Sequence, residues 1–318
     1  MKEAFARIFA IILLAGGSLS IGFAWWVGRA NTVTLHARMP EAGGWTPADL
    51  TVAAGQPLHL RLTSDDVMHG FAIGQSDQPA VDVKPGEMTD YTITFDKPGT
   101  YTFYCTRWCG PNHWRMRGTI TVTGEILEQS VTLPLYVQLG LDIDAMHEAQ
   151  NVPDEKLSAQ RGAELALNLT KYQSQDYYRS HSLEDAWQDL RDDPDFASYS
   201  DQQLWDAAAF IWGSNTTPET MSEARLLYAQ NCAACHGESG DGDGVFSGKQ
   251  VQVEDEAVKP TDFTDPKLML SASPALLQGK LIRGGMGTGM PMWGSIFTED
   301  QTWLLVNYLY TFQFEEVR

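Results

Sequence analysis

The stretch YCTRWCGPNHWRMRG, residues 104–118, sets Cys105, Cys109, His113 and Met116 within twelve positions. Soft thiolates and a thioether beside an imidazole select copper or zinc over hard cations. A second imidazole, His69 in DDVMHGF, closes an earlier strand-like run. A disulfide would use the cysteines alone. Zinc would take Cys2His2, but its four ligands leave Met116 without a role, and a single blue-type copper needs only one cysteine. Two thiolates bridging two coppers, each capped by one histidine with weak outer donors, would use the whole set and share one electron with little rearrangement.

The other two cysteines lie in NCAACHGESGDGDG, residues 231–244. Cys232-x-x-Cys235-His236 is the attachment signal of c-type haem: the thiols add to the vinyl groups and His236 is carried beneath the iron as proximal ligand. A thioredoxin-like redox pair would not require the histidine and would accompany a βαβ pattern, which is missing here. For the second axial position, RGGMGTGMPMWG offers Met286, Met290 and Met292.

These residues need scaffolds. From residue 31 to 124, runs such as LTVAAGQPLHLRLTS and MTDYTITFDKPGTYTFYC alternate apolar with polar residues between Gly and Pro turns, predicting short antiparallel strands in a small sandwich or barrel. The closing stretch TEDQTWLLVNYLY predicts a helix with a Thr298/Gln301 capping box, its Trp303 and Tyr308 facing the helix that contains Tyr228. SDQQLWDAAAFIW, residues 200–212, repeats that pattern with Ser200/Gln203, and SAQRGAELALNL reads as a further amphipathic helix. Residues 156–213 are therefore expected to be a cytochrome c remnant without haem, against the alternative of two unrelated amphipathic helices. The acidic run DEKLSAQRGAE reads as a solvated helix face. His36, His59, His147 and His181 fall outside any ligand spacing and are expected at the surface or in packing.

The N-terminus carries IFAIILLAGGSLSIGFAWWV, residues 8–27, twenty positions without a charge, about the thickness of a bilayer core. It is expected to be a retained transmembrane helix, longer than the apolar core of a cleaved signal peptide. Lys2 and Arg7 before it place the N-terminus inside and everything after residue 28 outside. The net charge of −19 over 318 residues excludes nucleic acid as a partner, because no basic stripe is present to displace counterions from phosphates.

Residues 31–124 resemble the CuA domain of subunit II of the haem-copper oxidases, through C-x3-C-x3-H-x2-M after DVxHGF with VKPGE between them. The resemblance implies a dinuclear copper held by His69, Cys105, Cys109, His113 and Met116, with Arg107 contributing its backbone carbonyl. Many relatives carry a glutamate at that position which also reaches a magnesium ion; Arg107 speaks against that ion here. Trp45 and Trp108 are candidate electron-transfer neighbours, with ordinary packing as the alternative. Residues 218–318 resemble class I cytochromes c, whose pattern favours Met290, the methionine before proline, as the second haem ligand.

Together these imply a multidomain chain: an N-terminal transmembrane helix (1–30), an all-β cupredoxin-like Greek-key sandwich (31–124), an acidic, mainly helical connecting region (125–217) and an all-α cytochrome c domain (218–318). The expected function is that of a non-catalytic electron-transfer subunit of a respiratory cytochrome c oxidase, with one covalent haem c and dinuclear copper. Its expected partners are a soluble basic cytochrome c or cupredoxin and the oxygen-reducing subunit I. The chain would be a single-pass protein of the cell membrane with its domains on the periplasmic side. The alternative is the same relay in a CuA-type nitric oxide reductase. A copper-delivery protein would have no use for Cys232-Cys235-His236.

Overall fold

Among the described residues of 31–124 the period-two alternation is realised as nine strands: β1 (Thr32–Ala37), β2 (Trp45–Thr46), β3 (Asp49–Ala53), β4 (Pro57–Ser64), β5 (His69–Ile73), β6 (Val81–Val83), β7 (Thr89–Thr94), β8 (Gly99–Tyr104) and β9 (Arg117–Thr123). The computed structural model describes residues 32–110, 112–125, 133–247, 252–253, 256–257, 259–285 and 289–315. The expected span at residues 8–27 and Met286 lie outside them. Among the described residues no helix is long and apolar enough to cross a membrane. The chain divides into two units, Met1–Gln129 and Ser130–Arg318.

In the first unit β2-β1-β4-β7 form one sheet and β3-β9-β8-β5-β6 the other. Every second residue of β4 (Leu58, Leu60, Leu62) and of β9 (Ile120, Val122) is buried, so the strand period alone supplies the core faces. Phe71 and Phe103 are fully buried, and each packs edge-on against Trp45 with centroids 5.4 and 5.9 Å away. Burial of such a ring is worth about 2–3 kcal/mol. The strands are not all antiparallel as expected: β1 pairs with β4, and β3 with β9, in parallel. The chain leaves one sheet for the other between these partners and returns in the same direction, which a hairpin pattern does not anticipate.

The second unit is helical. Its principal helices are α1 (Leu135–Gln138), α2 (Ala159–Glu164), α3 (Gln175–Ser180), α4 (Leu183–Asp192), α5 (Asp201–Gly213), α6 (Pro218–Asn231), α7 (Ala233–His236), α8 (Pro266–Met269), α9 (Pro274–Arg283) and α10 (Glu299–Tyr310). Both expected capping boxes form, Ser200/Gln203 and Thr298/Gln301. The stretch SAQRGAELALNL yields only the six-residue α2, because the chain turns through Ala166 at φ +52°. There Gly162 crosses α5 so closely that an added Cβ would lie 2.0 Å from the Asp206 carbonyl oxygen.

Residues of the connecting region pack against the C-terminal helices. Trp212 meets Tyr310 edge-on at 6.1 Å, and the Glu184 N–H donates to Leu270 O at 2.9 Å. Tyr308 packs on Tyr228 at 5.0 Å, as expected, but Trp303 lies beneath the Arg179 guanidinium, 4.3 Å from its ring. Five positions along a helix turn a side chain by about 140°, so these two aromatics face different neighbours.

Candidate metal centres

His69 opens β5 instead of closing an earlier strand, and its ring is fully buried. The cysteine loop lies between β8 and β9 and is tied at its neck by the Cys105 N–H donating to Met116 O at 3.0 Å. It lies hard against β5 at Gly70, where an added Cβ would be 2.0 Å from Thr106 Oγ1; only glycine permits this approach. Within the loop, Asn112 at φ +56° leads into a tight turn over His113–Arg115, and the Met116 N–H donates to His113 O at 3.0 Å. The turn folds Met116 back towards the cysteines.

Six donor atoms converge there. The Cys105 and Cys109 sulfurs are 3.9 Å apart, far beyond the roughly 2.05 Å of a disulfide. His69 Nδ1 is 3.7 Å from the Cys105 sulfur, and His113 Nδ1 is 3.4 Å from that of Cys109. The Arg107 carbonyl oxygen lies 3.2 Å from the Cys105 sulfur and Met116 Sδ lies 3.8 Å from that of Cys109. The ligand atoms of His69, Cys105 and Cys109 all fall within 4.8 Å of one another. Each sulfur thus has one imidazole and one weak donor beside it, a set that fits soft metal ions.

The electrostatics fit cations as well. Contact with Cys109, reinforced by both imidazoles against burial, depresses the Cys105 pKa, while the neighbouring Cys105 and burial push Cys109 up. Two adjacent thiolates need positive charge between them, which a bound metal provides. Burial disfavours the His69 cation, but Cys105 and Asp66 outweigh it and raise its pKa.

Asp66 was missed in the sequence, although an acid three residues before the histidine was its signal. Its Oδ1 lies 2.8 Å from His69 Nε2, leaving Nδ1 for the metal side. The Met39 and Val67 N–H groups, each at 2.6 Å, hold the carboxylate in place. Arg107 turns its side chain outward into a two-point pair with Asp82 at 2.5 and 2.9 Å, so the position presents a guanidinium where magnesium would need a carboxylate. Trp45 belongs to the core; Trp108 is 47% exposed with its ring 5.5 Å from that of His113.

Cys232 caps the C-terminal end of α6, and the Cys235 and His236 N–H groups both donate to its carbonyl, at 3.1 and 2.9 Å. One turn therefore presents both thiols and the imidazole. None of the four cysteines is in a disulfide. Burial, with the nearby Cys235, pushes the Cys232 thiol up to about 12. His236 Nδ1 lies 3.1 Å from Thr261 O. A carbonyl only accepts, so the proton sits on Nδ1 and the Nε2 lone pair remains for iron. Burial lowers the His236 pKa, keeping it in the neutral, ligating form. Phe263 stacks on the ring at 4.5 Å. These residues fit a covalent haem. Met290 is partly buried and its carbonyl accepts from the Gly285 N–H at 3.2 Å, whereas Met292 is 62% exposed.

The remaining histidines sit where expected. His36 pairs with Asp65 at 2.9 Å, His59 meets Thr92, His147 approaches Ala145 O and His181 stacks on Tyr177.

A cupredoxin-like sandwich with a two-thiolate site, joined in one chain to a cytochrome c domain, defines an electron-transfer protein that uses copper and haem. Residues 46–123 match the family described as "Cytochrome C oxidase subunit II, periplasmic domain", and residues 221–313 match "Cytochrome c". Cytochrome c oxidase subunit 2 of Thermus thermophilus is 38% identical over 92 residues, 29% of this chain and 67% of that protein. A second subunit 2 from a strain of the same species is also 38% identical over 92 residues, 29% of this chain, and the match spans about half of it, 54%. A chain from the cryo-EM structure of a haem-copper terminal oxidase dimer is 24% identical with a TM-score of 0.27, covering 39% of this chain and 100% of its own. The chain belongs to the cytochrome c oxidase subunit II family.

Proposed function

We propose that this chain is the electron-accepting subunit II of a membrane haem-copper oxidase, serving a catalytic subunit I that reduces oxygen. The observation that carries the reading is the sulfur pair: two buried, reduced thiols 3.9 Å apart, each with its own imidazole and its own weak donor. His69, Cys105, Cys109, His113, Met116 and the Arg107 carbonyl would hold two coppers, which when bound supply a one-electron store shared by both metals. Cys232 and Cys235 would attach haem c, with His236 and Met290 as its axial ligands, a combination that raises the haem potential. The protein's own part is to fix these donors on paired strands and one helical turn and to exclude water. Little then has to move when charge changes.

Residues 8–27 would anchor the chain, with the domains on the periplasmic side. Residues 218–318 carry fourteen acidic and seven basic side chains, a charge of −7, which would steer a basic soluble donor towards the haem domain. Added salt should slow that encounter, and a salt-independent rate would remove the donor from the proposal. We also read residues 156–213 as a haem-less cytochrome c remnant. Like α6 and α10, α2 and α5 pack as a pair, and Trp187 and Trp205, stacked at 5.0 Å, fill the interior.

The test is metal analysis and electron paramagnetic resonance of the purified full chain. Two coppers and one haem per chain are expected, with hyperfine structure from two equivalent nuclei. Zinc, or an isolated cupric signal, overturns the dinuclear reading, and two haems contradict the remnant. Gas consumption by the complex with subunit I separates oxygen from nitric oxide as acceptor.

A further inference from the structure

The segment before α2 carries no metal motif, yet it is fastened along α8, the turn after it and α9, the helix that leads to Met290. Gly279 of α9 makes room for it: an added Cβ would lie 2.8 Å from the Tyr136 ring and 3.1 Å from the buried Ile143. Ser271 Oγ donates to His147 O and the Ala149 N–H donates to Lys267 O, both at 2.8 Å. Between these fastenings Asp144 meets Arg283, the last residue of α9. The guanidinium donates to both carboxylate oxygens, to Oδ1 at 2.6 Å.

Arg283 stands at the neck of the methionine loop. Its Nε donates to Gly284 O at 3.3 Å. Gly284 adopts φ +73°, and an added Cβ there would lie 2.6 Å from Pro291 O and 2.8 Å from Met290 O. The neck is closed by the Gly285 N–H donating to Met290 O at 3.2 Å. A single arginine therefore joins an acid of the fastened segment to the peptide at which the loop leaves its helix.

We propose that Asp144 is a positioning residue for the sixth ligand of the haem: through Arg283 it holds the neck of the methionine loop and keeps Met290 in place against competing ligands. The proposal rests on Met290 being the axial ligand. Asp144 is 62% exposed, so the pair is open to screening by salt and its effect is modest.

The test is titration of the ferric, haem-loaded full chain with imidazole, which displaces a weakly held methionine and abolishes the sulfur-to-iron charge-transfer band. Asp144→Asn should raise imidazole affinity about two- to fivefold, and Asp144→Glu should restore most of the wild-type value. Wild-type affinity should rise with added potassium chloride while that of Asp144→Asn stays flat, a comparison in which the wild-type arm does not depend on how the variant folds. Met290→Ala distinguishes the two layers. If it keeps the band, the axial assignment fails and the clamp falls with it. If it loses the band while imidazole affinity ignores both Asp144→Asn and salt, the clamp is wrong and the axial assignment stands.

Discussion

Asp66 Oδ1 lies 2.8 Å from Nε2 of the fully buried His69, whose other ring nitrogen is 3.7 Å from the Cys105 sulfur. The carboxylate thus sets which nitrogen faces the metal site, and it is itself held by two backbone N–H groups. Asp66→Asn keeps the size but loses the charge and the strong acceptor. Copper affinity should fall about 10- to 100-fold, measured by competition with a chelator. An unchanged affinity would reduce Asp66 to a loop-shaping residue.

The bridging role proposed for the cysteines predicts that they fail together. Cys109→Ser should lose at least one of two coppers per chain and, with it, the hyperfine pattern of two equivalent nuclei, while haem content stays constant. Two coppers retained in this variant would show that Cys109 does not bridge.

Met290→Ala should lower the haem midpoint potential by a substantial part of the roughly 0.8 V that axial ligands span, with covalent attachment intact. Redox titration reads this directly. A drop on replacing Met286 instead would transfer the ligand role.

Gly162→Ala places a methyl group 2.0 Å from the Asp206 carbonyl oxygen, against backbone that has no rotamer to yield. The crossing of α2 and α5 should open at a cost of about 1–3 kcal/mol, visible in denaturant unfolding of the full chain. Unaltered stability would mean that the two helices separate without penalty.

Asp193 accepts from Lys171 Nζ at 2.6 Å, Tyr172 Oη at 2.9 Å and the Asp195 N–H at 3.0 Å. The lysine, above all, lowers its pKa from 3.8 to about 2. Folded chain therefore binds fewer protons here than unfolded chain between these values. The contribution is complete above pH 3.8 and is lost as pH falls towards 2. In Asp193→Asn the thermal midpoint should depend less steeply on pH across that window; an identical slope would exclude the group.

Much of the site was legible because it is local. Cysteines four residues apart, a histidine four further on and a methionine three beyond that are brought together by one loop between two strands, and Cys-x-x-Cys-His by a single helical turn. The capping boxes at Ser200 and Thr298 are equally local, since each needs only its own first turn. Asp66 was missed although its three-residue offset from His69 was visible, because an acid before a strand has many ordinary uses. Thr261 left no signal at all, as it acts through a backbone carbonyl.

The sequence by itself determined the donor types, their spacing and the Cys-x-x-Cys-His turn, since covalent separation limits what a short loop or turn can place together. Tertiary structure decided the rest. His69 joins Cys105, 36 residues away, only because β5 pairs with β8 and Gly70 lets the loop approach. The parallel pairings arise from strands that change sheets, and Trp303 and Tyr308 part company by helical phase. Asp144 reaches Arg283 across 139 positions, because Gly279 leaves space for Tyr136. Such contacts depend on elements far apart in the chain finding one another, which no local spacing encodes.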